Sequence, residues 1–288
     1  MLYIAITIAL NIVLAVLFKQ FPKWGIDAMQ AIVANYFVCI LTGSLFIGQV
    51  PYNAGVLQEP WLPWALGMGT GFISLFNLIA YSTKVDGITT TTIANKLSLA
   101  IPITFALFFM GETAGIMKAT GLLLTIPAIL LTAYTKEAKT HHLSLLPPLA
   151  LFIGSGILDT LMNYVQHNML TSPGSQALFA IYCFSSAGVV GVLLMGWRVL
   201  RGNITFSIKN LLAGVAIGIP NYFSIYFLIR SLNNSGYPST VTFPVLNVGI
   251  LVASTLTAVI FFKEKMNGLR IIGLVLSLAA ILCITMAG

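Results

Sequence analysis

Residues 90–124 read TTTIANKLSLAIPITFALFFMGETAGIMKATGLLL. From Leu97 to Gly111 this stretch carries no charge, and beyond Lys118 the chain stays uncharged to Tyr134. Apolar runs of about 20 residues are long enough to cross roughly 30 Å of hydrocarbon as helices. The same pattern fills the chain, which has 288 residues, 58% of them hydrophobic and only 7% charged. A soluble domain carries about 25% charged residues. Strands of a membrane barrel would be about half as long and alternate in polarity, which these runs do not. The pattern predicts an all-α polytopic membrane protein with ten transmembrane helices, over residues 2–18, 28–49, 61–83, 88–110, 115–134, 147–168, 175–198, 209–231, 239–262 and 267–287.

The connections are short and none can house an extramembrane domain, so the chemistry is expected within the bilayer or at its edge. The first run opens at Leu2 with no charged leader and no small-residue cleavage site, and reads as a span rather than a signal peptide. A net charge of +7 would suggest nucleic acid in a soluble protein, but here the basic residues lie mainly between spans, and no nucleic-acid partner is expected. Cys39, Cys183 and Cys283 fall in three different apolar segments, a spacing that fits neither a metal site nor a disulfide framework. His141 and His142 lack nearby cysteines or spaced acidic partners. No metal and no cofactor is expected.

Connections after odd-numbered spans, with their flanks, hold Lys19, Lys23, Lys84, Lys136, Lys139, Arg198, Arg201, Lys209, Lys263, Lys265 and Arg270. Those after even-numbered spans hold only Lys118 and Arg230. By the positive-inside rule the odd connections are cytoplasmic and both termini lie outside, in a cytoplasmic or inner membrane.

A constant shift of 152 residues, which takes Thr90 to Thr242, lays residues 90–124 over TFPVLNVGILVASTLTAVIFFKEKMNGLRIIGLVL at 242–276. Asn95 then meets Asn247, Ala106 meets Ala258, Phe109 meets Phe261, Glu112 meets Glu264, Gly121 meets Gly273 and Leu124 meets Leu276. Five spans is an odd number, so two such copies cross the membrane in opposite senses. Halves at 1–140 and 141–288 are expected as inverted repeats, an architecture of many transporters with the substrate site near the midplane.

The two motifs FFMGETAGIMKATGLLL and FFKEKMNGLRIIGLVL resemble the EamA-type signature of the drug/metabolite transporter superfamily: an apolar span, a Gly/Lys–Glu turn, and a span opening on a spaced glycine. The resemblance covers essentially the whole chain and implies a secondary carrier working by alternating access without ATP. It also implies cytoplasmic termini, the reverse of what the charge distribution predicts. The first span lacks the tryptophan–glycine pair many members carry. IANKLSLA at 93–100 is similar to the Gly-Ala-Leu-Asn-Lys motif of nucleotide-sugar transporters, in which Asn and Lys face the nucleotide–phosphate part of the substrate, although there it lies in the second half.

Lys96 lies about 12 Å along the fourth span at helical rise. A lysine near the bilayer centre costs roughly 2.5–3.5 kcal/mol on insertion scales. It either snorkels outward, pairs with a carboxylate, or lines a cavity for an anionic group or a proton. Asp159 is the acidic residue well inside a span, about 18 Å along the sixth, and is the expected partner. Asn163 and Gln166 follow on the same helical face. Asn95 and Asn247 hold equivalent places in the two halves, and either serve a polar substrate or bond neighbouring helices. Asn35, Asn77, Asn221 and Tyr222 are further substrate-binding candidates. Glu112 and Glu264 sit where one span ends and the next begins, which suits a structural role at a helix N-terminus. Pro102, Pro127, Pro220 and Pro244 fall inside spans and kink them.

The expected function is a secondary active transporter of a small polar or anionic metabolite, coupled to a proton, ion or solute gradient and working as a monomer or homodimer. The alternatives are an exporter of amphipathic compounds, a nucleotide-sugar-like carrier, a non-transport membrane bundle and an intramembrane enzyme. The last lacks its usual hardware, with no His-Glu-x-x-His and no catalytic aspartate pair, and no catalytic residue is expected.

Overall fold

The computed structural model describes residues 2–52, 54–112, 115–133, 146–201, 207–234, 236–263 and 268–286. These form ten α-helices and one short 3₁₀ turn, with no strand among them. The helices are α1 (Leu2–Gln20), α2 (Ala28–Ile47), α3 (Leu62–Leu97), α4 (Ala100–Phe109), α5 (Ile116–Ala133), α6 (Leu146–Met169), α7 (Pro173–Leu200), α8 (Ile208–Asn234), α9 (Ser239–Phe262) and α10 (Gly268–Met286). Seven of the described helical segments are long and apolar enough to cross a membrane. In hydrocarbon no water is available to backbone N–H and C=O groups, so a chain this apolar satisfies them inside helices.

One boundary differs from expectation. The third and fourth spans were expected to be separated at KVDG, residues 84–87, yet α3 is helical from 62 to 97. Ser82 and Thr91 nonetheless join their hydroxyls at 2.9 Å. Nine residues of straight helix would separate them by about 13.5 Å, so the chain folds back between them while keeping helical backbone. The break that does occur, at Ser98–Leu99, precedes Pro102. Proline has no N–H to give the Ser98 carbonyl, which instead accepts from Ile101.

Local sequence sets the ends. Asp27 caps α2 by accepting from the Gln30 N–H at 2.9 Å, and Gly48 closes that helix at φ 68°. Ser172 and Ser175 form a capping box on α7, with Pro173 at its first position.

Two compact units emerge: Met1–Ile73 with Tyr164–Asn233, and Ser74–Asn163 with Asn234–Gly288. Both expected halves, 1–140 and 141–288, contribute to each. In the first unit α2 lies against α8, and a Cβ on Gly218 would stand 2.5 Å from Val38. In the second unit α5 packs on α10. A Cβ on Gly121 would lie 2.6 Å from Ile284 and 3.0 Å from the Ala280 carbonyl. Leu99, Ile103, Ile129 and Leu251 make an apolar core there from α4, α5, α9 and the break before α4.

Candidate functional site

The candidate residues fall into separate groups. In the second unit Lys96 stands one residue before the end of α3, half-buried. Its ammonium donates to Asn247 Oδ1 on α9 at 3.4 Å. Asn247 Nδ2 donates back along its own helix to the Phe243 carbonyl at 3.1 Å, which leaves its amide oxygen turned to the lysine. Asp159 on α6 interacts electrostatically with Lys96 without forming a direct ion pair. Helix α6 is seated against α4 where Gly156 meets Ile101, one turn before Asp159. Two unlike charges and an amide therefore converge from α3, α6 and α9.

Asn95 is half-buried beside them, and its carbonyl accepts from Ser98 Oγ at 2.6 Å. Asn77 is half-buried on α3 in the same unit. Asn163 does not join the lysine. Its Nδ2 donates to Ser239 Oγ at 2.9 Å and lies 3.3 Å from Met110 Sδ.

Ser239 belongs to a second polar cluster, whose centre is Glu112. Its carboxylate accepts from the backbone N–H groups of Ser239 and Thr240, both at 2.9 Å, and from both hydroxyls at 2.5 Å. Helix α9 opens on Pro238, which offers no capping side chain, so the cap comes from the end of α4. The structural role expected for Glu112 thus falls on α9 rather than on the α5 that follows it in sequence. Burial pushes this carboxyl up, but the hydrogen bonds from Ser239 and Thr240 outweigh it and hold the group below its ordinary value. Glu264, His141 and His142 lie outside the described residues.

Asn35, Asn221 and Tyr222 meet in the first unit. Asn221 Nδ2 donates to Asn35 Oδ1 at 3.1 Å, and the Cys39 thiol donates to the Gly218 carbonyl at 3.2 Å. These bonds tie α2 to α8 beside the Gly218 contact, the role of polar residues that join membrane helices. Tyr222 is fully buried, its hydroxyl without a partner among the described residues and its ring against Phe184 and Tyr226. A cavity of about 500 Å³ in this unit is lined by Tyr52, Leu66, Thr70, Tyr182, Ser185 and Ser186 among others. One of about 400 Å³ in the second unit is lined by Thr104, Phe105, Phe109 and Phe152 with neighbouring apolar residues. Neither is lined by Lys96 or Asp159.

Two features escaped sequence reasoning. Gln30, Asp27 and Asn210 link the starts of α2 and α8: Asn210 Nδ2 donates to Gln30 Oε1 at 3.0 Å, and the Asp27 N–H donates to Asn210 Oδ1 at 3.0 Å. Partners so far apart in sequence leave no local signal. Arg230 meets Tyr3, and its signal was the rarity of basic residues in the even-numbered connections. Among the described residues no group of three His, Cys, Asp or Glu side chains could hold a metal ion.

The fold is all-helical and compatible with a multi-pass membrane protein, with a lysine, an aspartate and an asparagine gathered from three helices. No protein-family model matches the chain. An uncharacterized protein of Haemophilus influenzae is 26% identical over 282 residues, 95% of this chain and 94% of that one. A solved crystal structure matches with a TM-score of 0.76 over 99% of both chains at 15% identity, a likeness that shows the fold alone.

Proposed function

We propose that this chain is a secondary active transporter of the inner membrane that moves a small polar, anionic metabolite by alternating access. It resembles the EamA-like carriers of the drug/metabolite transporter superfamily, with ten spans as two inverted five-helix repeats. The observation that carries the function is the Lys96 cluster. A cation within an apolar chain is expensive unless it serves, and this one is held by an amide and faced by a carboxylate that does not close on it.

Helix boundaries support the repeat. The shift of 152 residues carries α5 from 116–133 to 268–285, against α10 at 268–286, and carries Ser82, where the first arm of α3 folds back, to Asn234, the end of α8. Counting α3 as two arms, the second continuing into α4, gives ten crossings.

A substrate anion would exchange the Asn247 oxygen for its own on Lys96, and Asp159 would hold or release the coupling proton. The test is uptake of labelled metabolites into proteoliposomes under an imposed proton gradient, after a thermal-shift screen of wild type and Lys96→Ala. A ligand that stabilises the wild type alone, and whose uptake Lys96→Ala abolishes, is the expected result. If no solute moves and Lys96→Ala changes only stability, the lysine is structural and the proposal fails. The 500 Å³ cavity beside Tyr52 and Tyr182 favours a second reading, export of an amphipathic compound, which predicts ligands that stabilise wild type and Lys96→Ala alike.

A further inference from the structure

We propose that Arg230 is the phosphate-binding residue of a phospholipid site, at the end of the first unit where α1 begins and α8 finishes. The guanidinium lies 5.1 Å from the centroid of the Tyr3 ring, and one of its nitrogens donates to the Tyr3 hydroxyl at 3.0 Å. Tyr3 in turn stacks on Phe227, centroid to centroid 5.9 Å. These are the contacts Arg230 makes among the described residues, and no carboxylate there pairs with it. A guanidinium carries five N–H donors and keeps its proton in proteins. One donor is spent on Tyr3, and the rest face no acceptor among the described residues.

The location narrows the anion that completes the site. Arg230 is four residues from the end of α8, about 6 Å at helical rise, the depth at which a spanning helix meets lipid headgroups. Tyrosine is the residue type expected at that boundary. Helix α1 buries only Ile4 and Thr7, while Leu2 is 71% exposed, so the Arg230–Tyr3 pair borders an open apolar face. Basic residues are otherwise sparse in the even-numbered connections, Lys118 being the other, so Arg230 does not belong to a general basic rim. A phosphodiester offers two anionic oxygens that match the guanidinium fork, and its acyl chains find the uncovered side of α1. A free phosphate satisfies the first requirement and leaves the second unused. An arginine placed only to suit the helix dipole would need neither.

The test uses the full chain purified in mild detergent and observed by native mass spectrometry. It is titrated with phosphatidylglycerol, with a diacylglycerol of the same chains, and with soluble glycerol 3-phosphate. Phosphatidylglycerol is expected to stay bound to the wild type and about tenfold more weakly to Arg230→Gln, the size of one lost charge-assisted contact. Diacylglycerol retention should not change, and Arg230→Lys should fall between. Equal phosphatidylglycerol retention by wild type and Arg230→Gln overturns the proposal. Glycerol 3-phosphate binding as tightly as the lipid overturns the lipid assignment. If Arg230→Gln does not fold, Tyr3→Phe decides. It keeps the ring and removes the bond that fixes the guanidinium, and phosphatidylglycerol retention should drop about threefold; no drop overturns the proposal.

Discussion

Glu112 is the residue whose removal gives the sharpest prediction. It stands beyond the end of α4, yet it supplies the cap of α9 through two backbone N–H groups and two hydroxyls. Bonds to a charged acceptor are worth about 1.5–3 kcal/mol each in favourable settings. The four are not additive, and a half-buried helix end regains water when the carboxylate goes. An N-cap substitution costs about 0.5–2 kcal/mol. Glu112→Ala should therefore destabilise by about 2 kcal/mol, at the upper end of that range. Glu112→Gln should cost about half as much, because its amide oxygen serves one residue's donors while its NH₂ group faces the other's.

The assay is thermal unfolding of the purified protein, with a double-mutant cycle against Ser239→Ala. The pair should be clearly non-additive, since each variant removes a partner of the other. The pH dependence follows from the lowered carboxyl of Glu112. A depressed folded value means stability that is present above the ordinary carboxylate range, near 4.3, and lost as the pH falls through the folded value. The gap between wild type and Glu112→Gln should be constant at neutral pH and close on acidification. Additive effects of Glu112→Ala and Ser239→Ala, or a gap that widens in acid, would refute the capping assignment.

Further expectations rest on equally local geometry. Gly218→Val should destabilise by about 1–3 kcal/mol, because even a Cβ would stand 2.5 Å from Val38. Gly67→Ala, with nothing within 4 Å of the added carbon, should be neutral or slightly stabilising in the same melts. Asn221→Ala should lower the melting temperature through the loss of its bond to Asn35, about 1 kcal/mol, without touching any ligand response that depends on Lys96. Thiol labelling of the folded protein should modify Cys283, which is half-buried, well before the buried Cys39 and Cys183, read by mass spectrometry of the peptides.

The helices were legible because apolar length is a strong signal, whereas the capping by Asp27, Gly48, Ser172 and Pro173 emerges from the structure. The bend of α3 was legible only as an interruption at KVDG. Nothing in periodicity says that the chain folds back there without leaving helical backbone. For the candidate site, the sequence placed Lys96, Asp159 and Asn247 in spans, and charge argued that the first two should meet. It could not separate Asn163 from them: one helical face carries both Asp159 and Asn163, but Asn163 is taken by Ser239. Nor could it say that Glu112 reaches α9, because that pairing joins residues more than a hundred positions apart.

On the proposed repeat, what recurs and what does not divide by physical role. Thr125 donates to the Gly121 carbonyl at 3.0 Å, and its mate Ser277 donates to the Gly273 carbonyl at 2.8 Å. Ala128 and its mate Ala280 are both fully buried. These small residues let α5 and α10 approach closely, and two helices meeting around a pseudo-twofold axis must both carry them. Lys96 and Asp159 have no charged mates: the shift takes Lys96 to Val248 and Asp159 to Thr7, whereas Lys118, at the start of α5, meets another cation, Arg270. Val248 is fully buried, at 0% exposure, whereas Lys96 is half-buried. A cation in place of the buried Val248 would need a compensating partner to offset its loss of water. The small residues that pack α5 on α10 recur under the shift, and the lysine and aspartate of the candidate site do not. For the carrier proposed above, Lys96 rather than the paired asparagines would then select an anionic cargo, because an amide carries no net charge.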